Sequence, residues 1–576
     1  MQGYFGRLFA VLALVGLTAA CSNGVPATVA QAPGQSAAPA GAASPKRITA
    51  VVRGDPAALA WSVITSGAGG TVPGIDQVDQ LLNAGLAITD PQGVLRPRLA
   101  EQVPSVDNGL WQVNADGSMQ TTWHLLPNLV WQDGIPFTTD DLSFTVRVAQ
   151  DLRAGVSNSS SYKLIDRVDT PDLQTLTVSW ASPFIEADAL FSATQHGALH
   201  VMPLPAHLLQ AAFDQDPTSF SQLPYWTSGF VGLGPFTLTE FVAGSHFVAR
   251  ANDRYALGRP KIDEIEVDFI PDPNTIAANL LAGSVDLTMN DRLDIDWGVQ
   301  LRDKWTAGHM EPTHDGGVVG LFPQFINPSP ALVADVNFRE ALMRAIDRQQ
   351  LSDSIMDGMA PVAHSLIEPG DPDYAAVDPS VVKFDYDPRR AMQILDGLGL
   401  SKGADGVYRD ASGQPLALEL RSRAGDDLQE KILPSVADYW KQVGVGSSQL
   451  VFGAQQANDR EFRATHPAFE VVRQPDGGGV LTNYLSAGTP TAENGYRGNN
   501  RTRYSNPDLD GLIKRFVTTI PLGERRQILA QAIGVMTRNI VFIPLDYIVD
   551  ATMIANRISG VGAQNPAWNA HEWDVM

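Results

Sequence analysis

The chain has one cysteine in 576 residues, Cys21, so no disulfide can close within it. Positive charge is scarce as well: 41 Lys and Arg stand against 63 Asp and Glu, for a formal net charge of −22. No basic stripe is evident, which argues against a nucleic-acid partner, because neutralising phosphates takes clustered cations. The motifs of common chemistries are missing too. There is no G-x-S-x-G elbow, no H-E-x-x-H, no phosphate-binding G-K-[ST] loop and no Cys-x-x-Cys. The nearest dinucleotide-like pattern, Gly229-x-x-Gly232-x-Gly234, has its spacing reversed and opens a strand ribbon. Neither catalysis nor a cofactor is expected. Long hydrophobic runs are absent: Leu8 to Leu17 falls short of the roughly 20 residues a membrane-spanning helix needs, and nothing later is more apolar.

What is present at the start is an export signal. Arg7 precedes the apolar run, and the small residues Thr18-Ala19-Ala20 lead into Cys21. Leu17 to Cys21 resembles a lipobox, so residues 1–20 read as a signal peptide cut before a lipidated Cys21. Two or more acyl chains at ~0.8 kcal/mol per buried methylene give stable anchoring where one chain would be marginal. Residues 22–46, almost all Ala, Pro, Gly and Ser, cannot bury enough surface to offset their ordering entropy, so 21–46 is expected to be a lipidated tether. The folded part would then hang from the outer face of the cytoplasmic membrane.

The most informative stretch runs from Gly232 to Leu287. Phe236 and Leu238 alternate with threonines, and Phe247 and Ala249 repeat the spacing beyond Ala243-Gly244-Ser245, which predicts a two-stranded ribbon with one face buried. Ile265, Val267 and Phe269 continue in strand period. Pro271 and Pro273 end that strand, Asn274 or Thr275 is expected to cap a helix, and Ile276, Leu280 and Leu281 form its apolar stripe before Gly283. Further helices are predicted over 139–152, 337–350, 432–443, 524–538, and from Asp387-Pro388 and Asn506-Pro507. Strands are predicted over 121–126, 176–180, 416–420 and 540–548.

Gly232-x-Gly234-Pro235-Phe236, Asn252-Asp253-x-Tyr255, Ile262 to Ile265 and Pro271 to Asn274 resemble the signature region of the family 5 extracytoplasmic solute-binding proteins, the peptide, oligopeptide and nickel receptors of ABC importers. Pro97 to Glu101, Trp131 to Thr138, Asn337 to Arg348 and Tyr504 to Asp510 resemble further motifs of that family in the same order. The resemblance implies an α/β, two-lobed periplasmic-binding-protein-like fold of type II, of the large peptide-binding type. Its parts would be lobe one over 47–97, an extra small domain over 98–185 inserted in lobe one, lobe one again over 186–315, and lobe two over 316–474. A return segment over 475–505 would lead to a C-terminal part of lobe one over 506–576, with strands crossing near 316–327 and 469–474. It also implies a monomer that captures a solute, foremost an oligopeptide, and delivers it to an ABC permease with separate ATPase subunits. An oligosaccharide, a nickel or other metal chelate, or a ligand-sensing role are the alternatives.

Candidate site residues follow from the same likeness. Peptide receptors of the family carry an Asp in a Gly-Trp-x-x-Asp-x-x-Asp-Pro-like loop; here that region is Phe469 to Gly479, without the aromatic or the Asp-Pro, leaving Asp476 as anchor for an α-amino group and Arg473 as the nearby cation. Either reads equally well as a solvated loop charge. Phe322, Phe325 and Asn327 on the first crossover are candidates for lining the cleft, or for core. Tyr496, in the polar loop 494–501, is a candidate contact or part of an exposed connection. His196, His200 and His207 have metal-compatible spacing but no neighbouring carboxylate or thiolate in sequence, so no metal site is assigned.

Overall fold

One strand, Gly308–Pro323, runs through both halves of a ten-stranded sheet, and the Gly316-Gly317 pair in its middle marks where the halves meet. The computed structural model describes residues 44–66, 73–156, 161–193, 201–289, 293–562 and 564–576. The expected signal peptide, Cys21 and nearly all of the expected tether lie outside them, as do His196 and His200. All elements below belong to the unit Pro45–Met576. Across the sheet the strands run Gly446–Phe452, Ala417–Arg423, Phe469–Pro475, Gly308–Pro323, Ile543–Ala555, Leu287–Thr288, Arg47–Val52, Glu264–Phe269, His246–Ala251 and Phe236–Val242.

The signature stretch folds as its pattern predicts. Phe236–Val242 and His246–Ala251 pair antiparallel, and Glu264–Phe269 lies between that ribbon and the parallel strand Arg47–Val52. The helix that follows, Pro273–Ala282, is capped by Asp272, whose side chain accepts from the Asn274 amide at 3.1 Å, rather than by Asn274 or Thr275. Pro273 at the first helical position lacks an amide donor, which moves the cap one residue before it. Ile276 and Leu280 are fully buried, whereas Leu281 is 49% exposed. The predicted helix over 337–350 is two helices, Val336–Arg344 and Arg348–Ile355, because Asp347 leaves helical geometry to cap the second.

A separate four-stranded sheet, Trp111–Val113, Met119–His124, Thr175–Trp180 and Ile165–Asp169, packs against the helix Thr139–Gln150. That helix starts in a capping box made by Thr138 and Asp141. Trp123, Trp131 and Trp180 are buried there, in the same core as Ile48, Phe236 and Ile265 of the large sheet.

The pairing of the crossing strands departs from the expectation. Gly308 to His314 pair with Ala555 to Val549, and Val318 to Leu321 pair with Tyr547 to Ile543, so Ile543–Ala555 is the second strand to pass the junction. Along Gly308–Pro323, Phe469–Pro475 pairs only with residues 317–323 and stops at Pro475, its other edge pairing with Ala417–Arg423. Every residue of Ile543–Ala555 is buried, the polar Asp546, Asp550 and Thr552 included, so burial alone does not tell a crossing strand from a core one. The helices Pro507–Phe516 and Leu522–Arg538, expected with lobe one, instead bury Leu509, Ile513, Phe516 and Leu529 together with Val318, Phe322 and Val472. An amphipathic stripe says that a helix buries a face; the partner comes from topology.

Candidate ligand-binding site

The motif residues that carry the resemblance are mostly scaffold. A Cβ on Gly232 or Gly234 would stand 2.1 Å or 2.4 Å from the backbone of Leu82, and Gln132 closes the contact by donating to Leu82 O, Gly234 O and Phe236 O. Buried Arg98 donates to Tyr255 Oη at 2.6 Å, which joins two motifs distant in sequence. Arg339 donates to the carbonyls of Val333, Asn539 and Ile540, and Arg348 to those of Ala363, Phe384 and Pro544. These guanidiniums replace missing backbone partners at loop carbonyls.

The candidate site is the junction itself. Between His314 and Val318 the crossing strands lose register, with Gly316 in the left-handed region at φ 66°. Asp476 docks there: its amide donates to Gly316 O at 3.1 Å, and the next amide, of Gly477, donates to Leu366 O at 2.7 Å. The Asp476 side chain is buried. Glu368 lies 3.3 Å from His314, and the Tyr547 hydroxyl donates to the carbonyls of Ser365 and Ile367. Burial raises the Tyr547 phenol, and the negative charges of Asp476 and Glu368 add to that.

Glycines 477–479 let this loop pass between further carboxylates. Asp371 Oδ2 stands 3.8 Å from where a Gly477 Cβ would be, and Glu186 Oε1 stands 3.9 Å from that of Gly479. Glu186 and Asp188 follow the strand Thr175–Trp180 on a segment whose Ile185 packs against both the first core and the helical core of Val318 and Phe322. Burial pushes Glu186 up to about 7, helped by the charge on Asp188 and opposed by Arg525. Burial likewise pushes Asp188 up to about 6 against Arg525. Burial also raises Asp371, while Asp373 is held by Arg526 at 2.7 Å. Carboxylates thus gather where the two wings of the sheet join, an arrangement suited to an ammonium or other cationic group.

The other expected site residues do not join this carboxylate group. Arg473 is locked in an ion-pair network, donating to Asp426 at 3.0 Å and lying 3.3 Å from Asp294; burial alone would lower its pKa, but Asp426, Asp550 and Asp294 raise it. Phe322 is a core side chain, edge-on to Phe542 at 5.6 Å. Phe325 is half-buried, stacked under Arg339 and beside Tyr504, while Asn327 is exposed with φ 51°. The Tyr496 hydroxyl donates to Glu461 at 2.8 Å, away from Asp476. His207 pairs with Asp133 at 2.8 Å. Of the set, Asp476 docks on Gly316 itself, and Arg473 lies beside the junction opposite Val319, engaged with Asp294, Asp426 and Asp550. Glu186, Asp188, Glu368 and Asp371 belong to no recognisable motif because they sit in short connecting segments between elements. The run Glu368-Pro369-Gly370-Asp371-Pro372-Asp373 is the one local signal that could have found two of them.

Comparison with known proteins agrees with this architecture. Residues 95–482 match the model of bacterial extracellular solute-binding proteins, family 5 Middle. A putative ABC transporter peptide-binding protein of Brucella ovis is 28% identical over 280 residues, 48% of this chain and 49% of that protein, so the chain spans about half the length of this curated relative. The oligopeptide-binding protein AppA of Bacillus subtilis is 25% identical over 375 residues, 64% of this chain and 63% of that one. The crystal structure of NikZ from Campylobacter jejuni in complex with Ni(L-His) superposes with a TM-score of 0.71 at 19% identity, covering 92% of this chain and 99% of that one. The fold is accordingly the two-lobed α/β fold of these binding proteins, and the chain belongs to the family 5 bacterial extracellular solute-binding proteins.

Proposed function

We propose that this protein is the ligand-capturing receptor of an ABC importer, holding an oligopeptide between its lobes and passing it unaltered to a membrane permease served by separate ATPase subunits. The observation that carries the peptide reading is the carboxylate-rich junction, where Asp476 sits among Glu186, Glu368 and Asp371. A peptide α-amino group would exchange water for charge-assisted hydrogen bonds there, while extended backbone pairs along the cleft. The names of the Brucella and Bacillus relatives support the same reading. Closure would occur about the crossing strands at Gly316. In this proposal the small domain spans 98–185 within lobe one, lobe two begins at 316, Cys21 carries the lipid that tethers a monomer to the outer face of the membrane, and no bond in the guest is broken.

The direct test is calorimetry with matched peptides. A free-amine peptide should bind and its N-acetylated twin should bind at least ten-fold more weakly, with Asp476→Asn weakening only the first. Equal affinity for the two peptides removes the anchor. Mass spectrometry of the recovered guest checks that it leaves intact. A second reading, a metal chelate as guest, is favoured by the likeness to NikZ; saturable binding of nickel–histidine in place of peptide would establish it.

A further inference from the structure

We infer that the basic cluster around Arg503 is a binding site for a small oxyanionic group, separate from the carboxylate junction. Arg503 is 9% exposed, and its side chain makes no hydrogen bond or ion pair among the described residues, with Nε fully enclosed. A buried guanidinium without a partner is costly, and an oxyanion supplies the acceptor it lacks. Nε of neighbouring Arg501 is also enclosed without a partner, although its Nη2 reaches Glu470.

The surroundings concentrate positive charge in a chain whose net charge is −22. Arg421 holds the other oxygen of Glu470 at 2.7 Å, and Arg463 and Arg423 stand nearby with exposed side chains. Arg421, Arg423 and Arg501 act on Arg463 beside the carboxylate of Glu470, and Arg503 acts on Tyr496, whose hydroxyl donates to Glu461. Partial burial first, then repulsion from Arg501, lowers the Arg463 pKa, and an arriving anion would offset the repulsion.

The cluster is also held in place. Asn500, 1% exposed, donates to the carbonyls of Leu485 and Tyr504 and accepts from the Arg503 amide at 3.0 Å. Gly498, at φ 131°, passes so close to Gly488 that a Cβ would stand 2.0 Å from its carbonyl oxygen. The loop thus presents Arg501 and Arg503 from a fixed frame, which lowers the ordering cost of binding. Glu470 lies six residues before Asp476, on the order of 20 Å along an extended strand, so the two sites are distinct.

The test is thermal shift and calorimetry on the full chain with inorganic phosphate at constant ionic strength, with a chloride-matched control. Phosphate should stabilise saturably, with affinity falling at least ten-fold in Arg503→Gln and unchanged in Arg497→Gln, an exposed arginine of the same loop. A parallel arm uses a peptide with a free or an amidated C-terminus. Stabilisation by the free acid alone, lost in Arg503→Gln, assigns the oxyanion to a carboxylate in place of phosphate. If Arg503→Gln does not fold, Arg463→Gln, at an exposed position, should weaken phosphate several-fold. No saturable effect of either probe, or equal effects in wild type and both variants, overturns the proposal.

Discussion

Arg421 and Glu470, on adjacent parallel strands, form an ion pair at 2.7 Å with side chains 2% and 4% exposed. Arg501 meets the other carboxylate oxygen. Burial would raise the Glu470 pKa, but Arg501 and Arg421 overcome it and hold the carboxyl down to about 2. Glu470→Gln should therefore cost about 3–5 kcal/mol, because it leaves two cations without their shared anion. Urea denaturation at neutral pH measures this. A loss under about 1 kcal/mol would mean that water already screens the pair.

The acid limb of stability follows from the same region. The folded Glu470 pKa is depressed, so its contribution is present above the unfolded value near 4.5 and is lost as pH falls through about 2. His466, fully buried with its ring nitrogen 3.1 Å from Phe322 O, is held down to about 4 by burial, with Arg421 and Arg501 contributing and Glu470 opposing. It adds a loss between pH 6.5 and about 4, since the unfolded chain takes up the proton first. His466→Gln should flatten the melting-temperature profile between pH 6.5 and 4 and leave the part below it unchanged.

The junction carboxylates act in the opposite direction. Glu186 and Asp188 have folded pKa values raised to about 7 and about 6, so the native state binds more protons than the unfolded one. Their contribution is present below the unfolded values near 4 and is lost as pH rises through 6 to 7. Glu186→Gln should raise the melting temperature at pH 8 relative to wild type and change little at pH 5. A larger gain at pH 5 than at pH 8 would refute this assignment.

Glycine substitutions should divide by close approach. Gly234→Ala places a Cβ 2.4 Å from the Leu82 backbone and should destabilise by roughly 1–3 kcal/mol. Gly511, inside the helix Pro507–Phe516 and exposed, meets nothing within 4 Å, so Gly511→Ala should stabilise by about 1 kcal/mol. Chemical denaturation of both variants settles the sign.

The cap at Asp272 supplies a smaller check. Asp272→Ala removes acceptors for the Asn274 amide and the Thr275 hydroxyl and should cost about 1 kcal/mol, whereas Thr275→Ala should cost less. The reverse order in thermal melts would restore Thr275 as the terminus-defining residue.

The sequence by itself determined the elements and the family. Alternation at Phe236 to Ala249 and apolar spacing at Leu509 to Phe516 are local properties, and glycines such as Gly232 and Gly234 are read from short motifs. Tertiary structure decided partners and the site. Ile543–Ala555 is buried on both faces, Asp546 and Asp550 included, so only its register with Gly308–Pro323 reveals that it crosses the junction. Glu186, Glu368, Asp371 and Asp476 are separated by up to 290 residues, and no periodicity links them. Charges so distant in the chain become one electrostatic environment only when folding places them together and takes away the water between them.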